Sequence, residues 1–314
     1  MSTYAGRVRA PWPVRREPVL IGLGMLVIYV VWGSVYVAIR YVVEDVPALY
    51  SIGLRYVVAG LLLSSYVAAR RGPTVLRAPR RAVLGCVLLA MLLQVLTNGT
   101  VTWAESIGVQ AGPAALLSAL APIAIVVLRL VTGDRPRVVT WVGVVVGFAG
   151  LAILLLGGRS VPGFPLWPSL LVVASAGCWA VGSFLQPRLL LPANTFVTTA
   201  YQLLGGGLVL TAVGFGSGER TSFDFPISTW LVLGYLTLSS VVSYTAYVWL
   251  LQRAPISLVS THAYVNPVVA VLLGWAWLGE PVTWPVVVGG AVVLVAVGLV
   301  MAERRRVPDE PPLT

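Results

Sequence analysis

The chain holds 314 residues, 58% of them hydrophobic and 10% charged, with a mean hydropathy of +0.91. A soluble domain carries roughly 25% charged residues, so this chain lacks the polar surface to stay in water and reads as an all-α polytopic membrane protein. The net charge of +10 rests on 21 basic residues, every one Arg, scattered in small clusters rather than gathered into the solvated patch that nucleic acid needs, and the spans leave no room for a soluble catalytic domain.

In chain order, apolar runs long enough to cross a bilayer occupy 19–39, 48–69, 82–103, 110–132 and 138–158. A second set occupies 166–186, 196–215, 229–251, 256–278 and 283–302. The reading is ten transmembrane helices: a basic tail over 1–18, a five-helix unit over 19–158, a linker over 159–165, a second unit over 166–302 and a tail over 303–314. Turn-forming stretches such as Arg70-Arg71-Gly72-Pro73, Gly133-Asp134-Arg135-Pro136 and Val161-Pro162-Gly163 separate the runs. Hydrocarbon forces the backbone to satisfy its own hydrogen bonds, and continuous rather than alternating apolarity selects helices over barrel strands. The first run is too long for a signal-peptide core, and Pro11 and Pro13 break the helix that a presequence would need.

Orientation follows from the arginines. With the N-terminus inside, the inner segments hold 17 of them and the outer loops only Arg40, Arg159 and Arg220, leaving Arg55 within a span. The positive-inside rule then places both termini in the cytoplasm, and the expected location is a bacterial-type plasma (inner) membrane.

Sliding the second half onto the first by 145 to 147 places brings Trp32 onto Trp179, Trp103 onto Trp249 and Pro122 onto Pro267. Gly133-Asp134 falls on Gly279-Glu280, and Gly143 on Gly289. Five spans per half is an odd number, so the second half enters from the opposite side and the expected architecture is two inverted five-helix repeats.

These landmarks carry a resemblance. Trp32-Gly33-Ser34-Val35-Tyr36-Val37-Ala38-Ile39-Arg40, Pro47 with Arg55, and Ala114-Ala115-Leu116-Leu117 with Pro122 resemble the first repeat of EamA-type drug/metabolite transporters. Asn266-Pro267-Val268-Val269-Ala270 through Leu278-Gly279-Glu280, then Gly289, resembles the second, over about residues 20 to 302 in all. Asp134 stands where that pattern usually has Glu. The resemblance implies ten helices, a central cavity between the halves, and efflux of amino acids, other metabolites or drugs. It does not name the cargo.

Polar and aromatic residues recur at helical spacing, which puts them on one face. Gln94, Asn98 and Thr102 form one stripe; Ser240, Tyr244 and Tyr247 another. Tyr29, Trp32 and Tyr36 share a face, as do Ser175, Trp179, Gly182 and Gln186, while His262 and Asn266 lie four apart. Such faces suit a substrate cavity; interhelical hydrogen bonding is the plainer account. Arg55 would either attract a substrate carboxylate or pair with helix carbonyls, Glu44 or Asp45. His262, the only histidine, is the candidate for proton coupling, since an imidazole ordinarily titrates near 6.5. Glu105, Asp134 and Glu280 fall at helix ends and read as interfacial or capping groups, and Trp103 and Trp249 as interfacial belt residues. Gly143, Gly147, Gly150 and Gly205 to Gly207 read as packing patches, and Pro122 and Pro267 as candidate hinges.

Catalysis has no foothold: there is no His-Glu-x-x-His, no Gly-x-Ser-x-Gly and no phosphate loop, and one histidine with two cysteines in apolar runs, Cys86 and Cys178, builds no metal site. The expectation is a secondary transporter without cofactor, exporting a small organic solute, amino-acid-like or aromatic, by alternating access. The alternatives are uptake or facilitated exchange through the same cavity, or a channel or scaffold. The partners are a small-molecule substrate, the bilayer and, where coupling exists, protons; the oligomeric state stays open.

Single cysteines introduced after Cys86 and Cys178 are replaced by Ser test the topology. A cysteine in the loop at 70–81 should react only from the cytoplasmic side, and one at 216–228 only from outside. Equal labelling of both from outside sinks the orientation.

Overall fold

The computed structural model describes residues 17–131, 138–157, 165–219, 224–254, 256–259 and 261–304. All regular structure among the described residues is helical. The first half contains α1 (Glu17–Val42), α2 (Ala48–Arg71), α3 (Arg80–Leu89), a π-helical segment (Ala90–Gly99), α4 (Thr100–Ser106), α5 (Ala111–Ser118), α6 (Ala121–Val131) and α7 (Val138–Gly157). The second contains α8 (Leu166–Leu185), α9 (Thr195–Gly216), α10 (Ile227–Arg253), α11 (Ile256–Val259), α12 (His262–Leu278) and α13 (Trp284–Arg304). Among the described residues, seven helical stretches are long and apolar enough to cross a membrane: α1, α2, Arg80–Ser106, Ala111–Leu128, Leu166–Arg188, α9 and α10. Three shorter apolar stretches are Trp141–Ile153, Val265–Leu278 and Trp284–Ala296. Large apolar side chains such as Leu23, Leu61, Val145, Leu238 and Trp275 stand exposed along these helices, as a lipid-facing surface requires.

The helix limits fall within three residues of those expected from the apolar runs, with two differences of kind. The third run is not uniformly α-helical, because its middle ten residues follow the wider π register. The fourth and ninth runs are interrupted. Pro122 stands in the first turn of α6, just past the break that ends α5, where its missing N–H costs nothing. Pro267 instead lies inside the continuous α12, so the two prolines occupy unlike positions.

Prolines also set helix starts: Pro47, Pro79, Pro165 and Pro226 each precede the first residue of a helix. A helix beginning this way leaves backbone N–H groups open. Two carboxylates from far along the chain answer them. Glu219 accepts from the N–H groups of Leu49 (3.1 Å) and Tyr50 (2.7 Å) at the start of α2. Glu280 accepts from Ala111 (2.8 Å) and Gly112 (3.3 Å) at the start of α5. Both place negative charge at the positive end of a helix dipole. The capping role read for Glu280 is thus seen, on another helix, while Asp134 lies outside the described residues.

α2 packs along α9 and α7 along α13; α1 packs against α10 and α12, and α8 against the π segment, α4, α5 and α6. Without a hydrophobic difference between helix and lipid, association depends on close backbone approach. A Cβ on Gly53 would stand 2.5 Å from the Thr211 nitrogen, and one on Gly207 would stand 2.7 Å from the Val57 nitrogen and 2.8 Å from the Gly53 carbonyl. Glycine is what lets α2 and α9 touch.

Gly207→Ala should therefore destabilise the protein by about 1 to 3 kcal/mol through overpacking. This holds although Ala is intrinsically about 1 kcal/mol better than Gly in a helix. Gly234→Ala, where a Cβ meets nothing within 4 Å, is the control and should not lower the melting temperature. Equal destabilisation of the two variants in detergent refutes the close-contact reading.

Candidate functional site

Trp32 lies where α1 meets its neighbours. Its neighbour Gly33 is what allows this, since a Cβ there would overlap the side chain of Val269 on α12. The indole is ringed by aromatic side chains from three other helices. Centroid distances are 5.4 Å to Trp179 (α8), 5.7 Å to Tyr244 and 5.0 Å to Tyr247 (α10), and 5.1 Å to His262 (α12). Trp179 and His262 present themselves near-perpendicular, at 85° and 84°, the edge-to-face geometry that ring quadrupoles favour.

A cavity of about 70 Å³ opens beside this cluster, lined by Trp32, Tyr36, Asn98, Trp179, Tyr244 and His262 together with Asn266 and Pro267. The π segment delivers Asn98. Its Nδ2 donates to the carbonyl of Leu93, five residues back, and to the Tyr244 hydroxyl at 2.6 Å. Thr97 likewise donates to the carbonyl of Leu92, five back, and to that of Ser175 on α8. A widened helix frees carbonyls that an α-helix would use, and these two side chains take them. Tyr244 also meets the Tyr56 hydroxyl at 3.2 Å, and Tyr247 meets Ser183 at 2.7 Å. With its amide turned so that Nδ2 faces them, Asn266 donates to the carbonyls of His262 (3.1 Å) and Tyr29 (3.2 Å), which ties α12 to α1.

Seven of the ten residues expected to bind substrate thus line one cavity. Three do not. Tyr247 packs behind Trp32 and Trp179, completing the aromatic wall from outside. Gln94 is fully buried under Gly206 of α9 with neither amide atom hydrogen-bonded. Arg55 borders a pinched space of about 20 Å³ that shares Trp32, Asn98 and Tyr244 with the main cavity, and on its other side a space of about 220 Å³ lined by Tyr50, Phe225 and Trp230. Among the described residues it makes no ion pair: Glu44 lies 3.6 Å from Arg40, and Asp45 accepts from Thr229. Its guanidinium lies 5.0 Å from the Tyr56 ring centroid, and its Nε has no partner. Pairing of Arg55 with Glu44 or Asp45 is therefore corrected: both acids are engaged elsewhere.

Sequence reasoning passed over Tyr56, Thr97 and Ser183, whose polar groups hold the wall. The spacing of Thr97 from Asn98 hides their joint role, because adjacent residues face apart in an α-helix. Trp103 is exposed, and Arg253 sits 4.9 Å over the Trp249 ring. No three His, Cys, Asp or Glu side chains among the described residues come together to hold a metal.

A model of the EamA-like transporter family matches residues 20–156 and again 166–302. The chain is similar to the "Uncharacterized inner membrane transporter YedA" of Escherichia coli K12, 34% identical over 288 residues, covering 91% of this chain and 92% of that one. It is also similar to a "Probable terminal-alkyne amino-acid exporter" of Streptantibioticus cattleyicolor, 28% identical over 286 residues, covering 86% and 90%. A solved crystal structure shares the fold with a TM-score of 0.65 at 21% identity, covering 91% of this chain and 98% of that one. Two matches of the family model and the length of these alignments leave one assignment: the chain belongs to the EamA-like transporter family of membrane proteins.

Proposed function

We propose that this chain is a secondary transporter that exports a small organic metabolite or drug, amino-acid-like or aromatic, by alternating access at the Trp32 cavity. The observation that carries the reading is the cavity's composition: aromatic rings, two amides and an imidazole from α1, the π segment, α8, α10 and α12 converge there, drawn from both matched halves. Aromatic walls take the apolar part of a solute, and Asn98, Tyr244 and Asn266 orient its polar part. At about 70 Å³ the space is well below the 300 to 1,000 Å³ or so of ordinary ligand pockets, so cargo enters only when the helices part.

In this reading the ten helices form two inverted five-helix repeats. Helix pairing supports it, since exchanging the halves maps α2–α9, α7–α13 and the pairing of the fourth run with the ninth onto themselves and turns α1–α10 into α8–π segment. The break before Pro122 and the proline inside α12 are the proposed hinges. The protein sits in a bacterial inner membrane with both termini cytoplasmic and works without a cofactor. An amino-acid-like cargo is favoured by the likeness to the Streptantibioticus protein, whose printed name is that of an amino-acid exporter.

A thermal-shift screen of the purified protein against amino acids, nucleosides and cationic dyes finds the cargo class, since a ligand at a hundred times its Kd stabilises by about 2.7 kcal/mol. Flux into vesicles under imposed gradients then separates export from uptake. Trp179→Ala should weaken binding of the best ligand about tenfold or more, equivalent to about 1.4 kcal/mol, whereas Trp249→Ala should leave it unchanged. Equal effects of the two variants overturn the placement of the site.

A further inference from the structure

Two glutamates hold helix starts, and a third behaves unlike them. Glu219 and Glu280 turn both carboxylate oxygens onto backbone N–H groups. Glu105, the penultimate residue of α4, is 0% exposed, and neither of its oxygens has a hydrogen-bond partner. An ionised carboxylate left buried and unpaired is among the costliest arrangements in a protein, so this side chain has to carry a proton or gain a cation.

The cation is close and committed elsewhere. Arg40 of α1 donates through Nη1 to the backbone carbonyl of Glu105 at 3.2 Å, while its Nη2 lies 3.6 Å from Glu44, whose side chain is 60% exposed. The other charged groups acting on Glu105 are Arg55 of α2 and Glu280, which follows α12; Tyr36 of α1 also lies within its field. The π segment and α5, which pack on α4, carry no ionisable side chain, and α8 carries only Cys178. Tyr36, on which the Glu105 charge acts, lines the central cavity together with Ser118.

We propose that Glu105 is a proton-binding site and that Arg40 switches with it. In the protonated state the neutral carboxyl needs no counter-ion, and Arg40 rests on the Glu105 carbonyl and Glu44. When the O–H bond breaks, the proton leaves to water in the cavity and the electron pair stays on the carboxylate. Arg40 then turns its N–H donors to the new carboxylate and draws α1 onto α4. Because α1 also carries Trp32 and Tyr36, the state of Glu105 is felt in the cavity wall. That a proton binds at Glu105 is independent of any cargo; that it drives export rests on the reading above. His262, a candidate for both substrate binding and proton coupling in the sequence, lines the cavity edge-on to Trp32 and is assigned here to the cargo.

Infrared pH-difference spectra of the full-length protein in lipid nanodiscs, with no cargo added, test the site directly. The wild type should show a protonated-carboxyl stretch that is lost as pH rises; Glu105→Gln should abolish it, Glu105→Asp should shift it and His262→Gln should leave it intact. A band that survives Glu105→Gln, or none in the wild type, overturns the proposal. If Glu105→Gln does not fold, Glu105→Asp decides, and an unshifted band there refutes the assignment. The thermal-shift screen fails or succeeds independently, so loss of the cargo reading and loss of this one are told apart.

Discussion

Hydrocarbon offers a polar group no hydrogen-bond partner, and this constraint arranges the interior of the molecule. The hydroxyls and amides that the helices carry are turned inward and must find each other. Tyr244 reaches Asn98 and Tyr56, Tyr247 reaches Ser183, and Tyr29 reaches Thr261. Each link joins two helices distant in sequence, and most converge around Trp32. The same constraint explains the π segment: widening the helix exposes carbonyls, which Thr97 and Asn98 cover with their own donors. A site rich in aromatic and amide groups is therefore also the interior's principal cross-link. Binding a solute there would replace protein–protein contacts with protein–solute ones, which gives cargo a differential interaction with two arrangements of the helices.

Much of this was legible in the chain because the signals are long. Twenty-residue apolar runs mark their own limits, and a spacing of three or four residues put Trp32 beside Tyr36 and His262 beside Asn266. The failures share one cause, which is that they depend on partners remote in sequence. Gln94 and Asn98 lie four apart, yet the π register sends Asn98 to the cavity and leaves Gln94 under Gly206. Glu105 sits at a helix end, where a carboxylate ordinarily reaches the interface, but packing of α1, α5 and α8 around α4 removes it from solvent. Glu219 carries no pattern at all in sequence, because its role is to cap a helix that begins at Ala48.

Mechanical roles follow from where the structure is tight and where it is divided. Along α2 and α9, backbone meets backbone at Gly53 and Gly207, and along α7 and α13 Gly150 does the same against Val293 and Gly289. Such seams resist sliding, because a small displacement drives backbone atoms into one another. The interrupted helices are different. α5 and α6 are separated by two residues, α11 and α12 by two, and Pro267 removes one hydrogen bond from the sixth position of α12. These elements border the cavity through Ala115, Ser118 and Ala121 on one side and His262, Asn266 and Pro267 on the other. Enlarging the cavity by bending at the breaks costs few backbone hydrogen bonds, whereas parting α2 from α9 would uncover glycine backbone. Glu280 links the two interrupted runs: it follows α12 and holds the first N–H groups of α5. The Glu280 carboxylate acts electrostatically on Glu105, so the proposed proton site and the proposed hinges share one charged group.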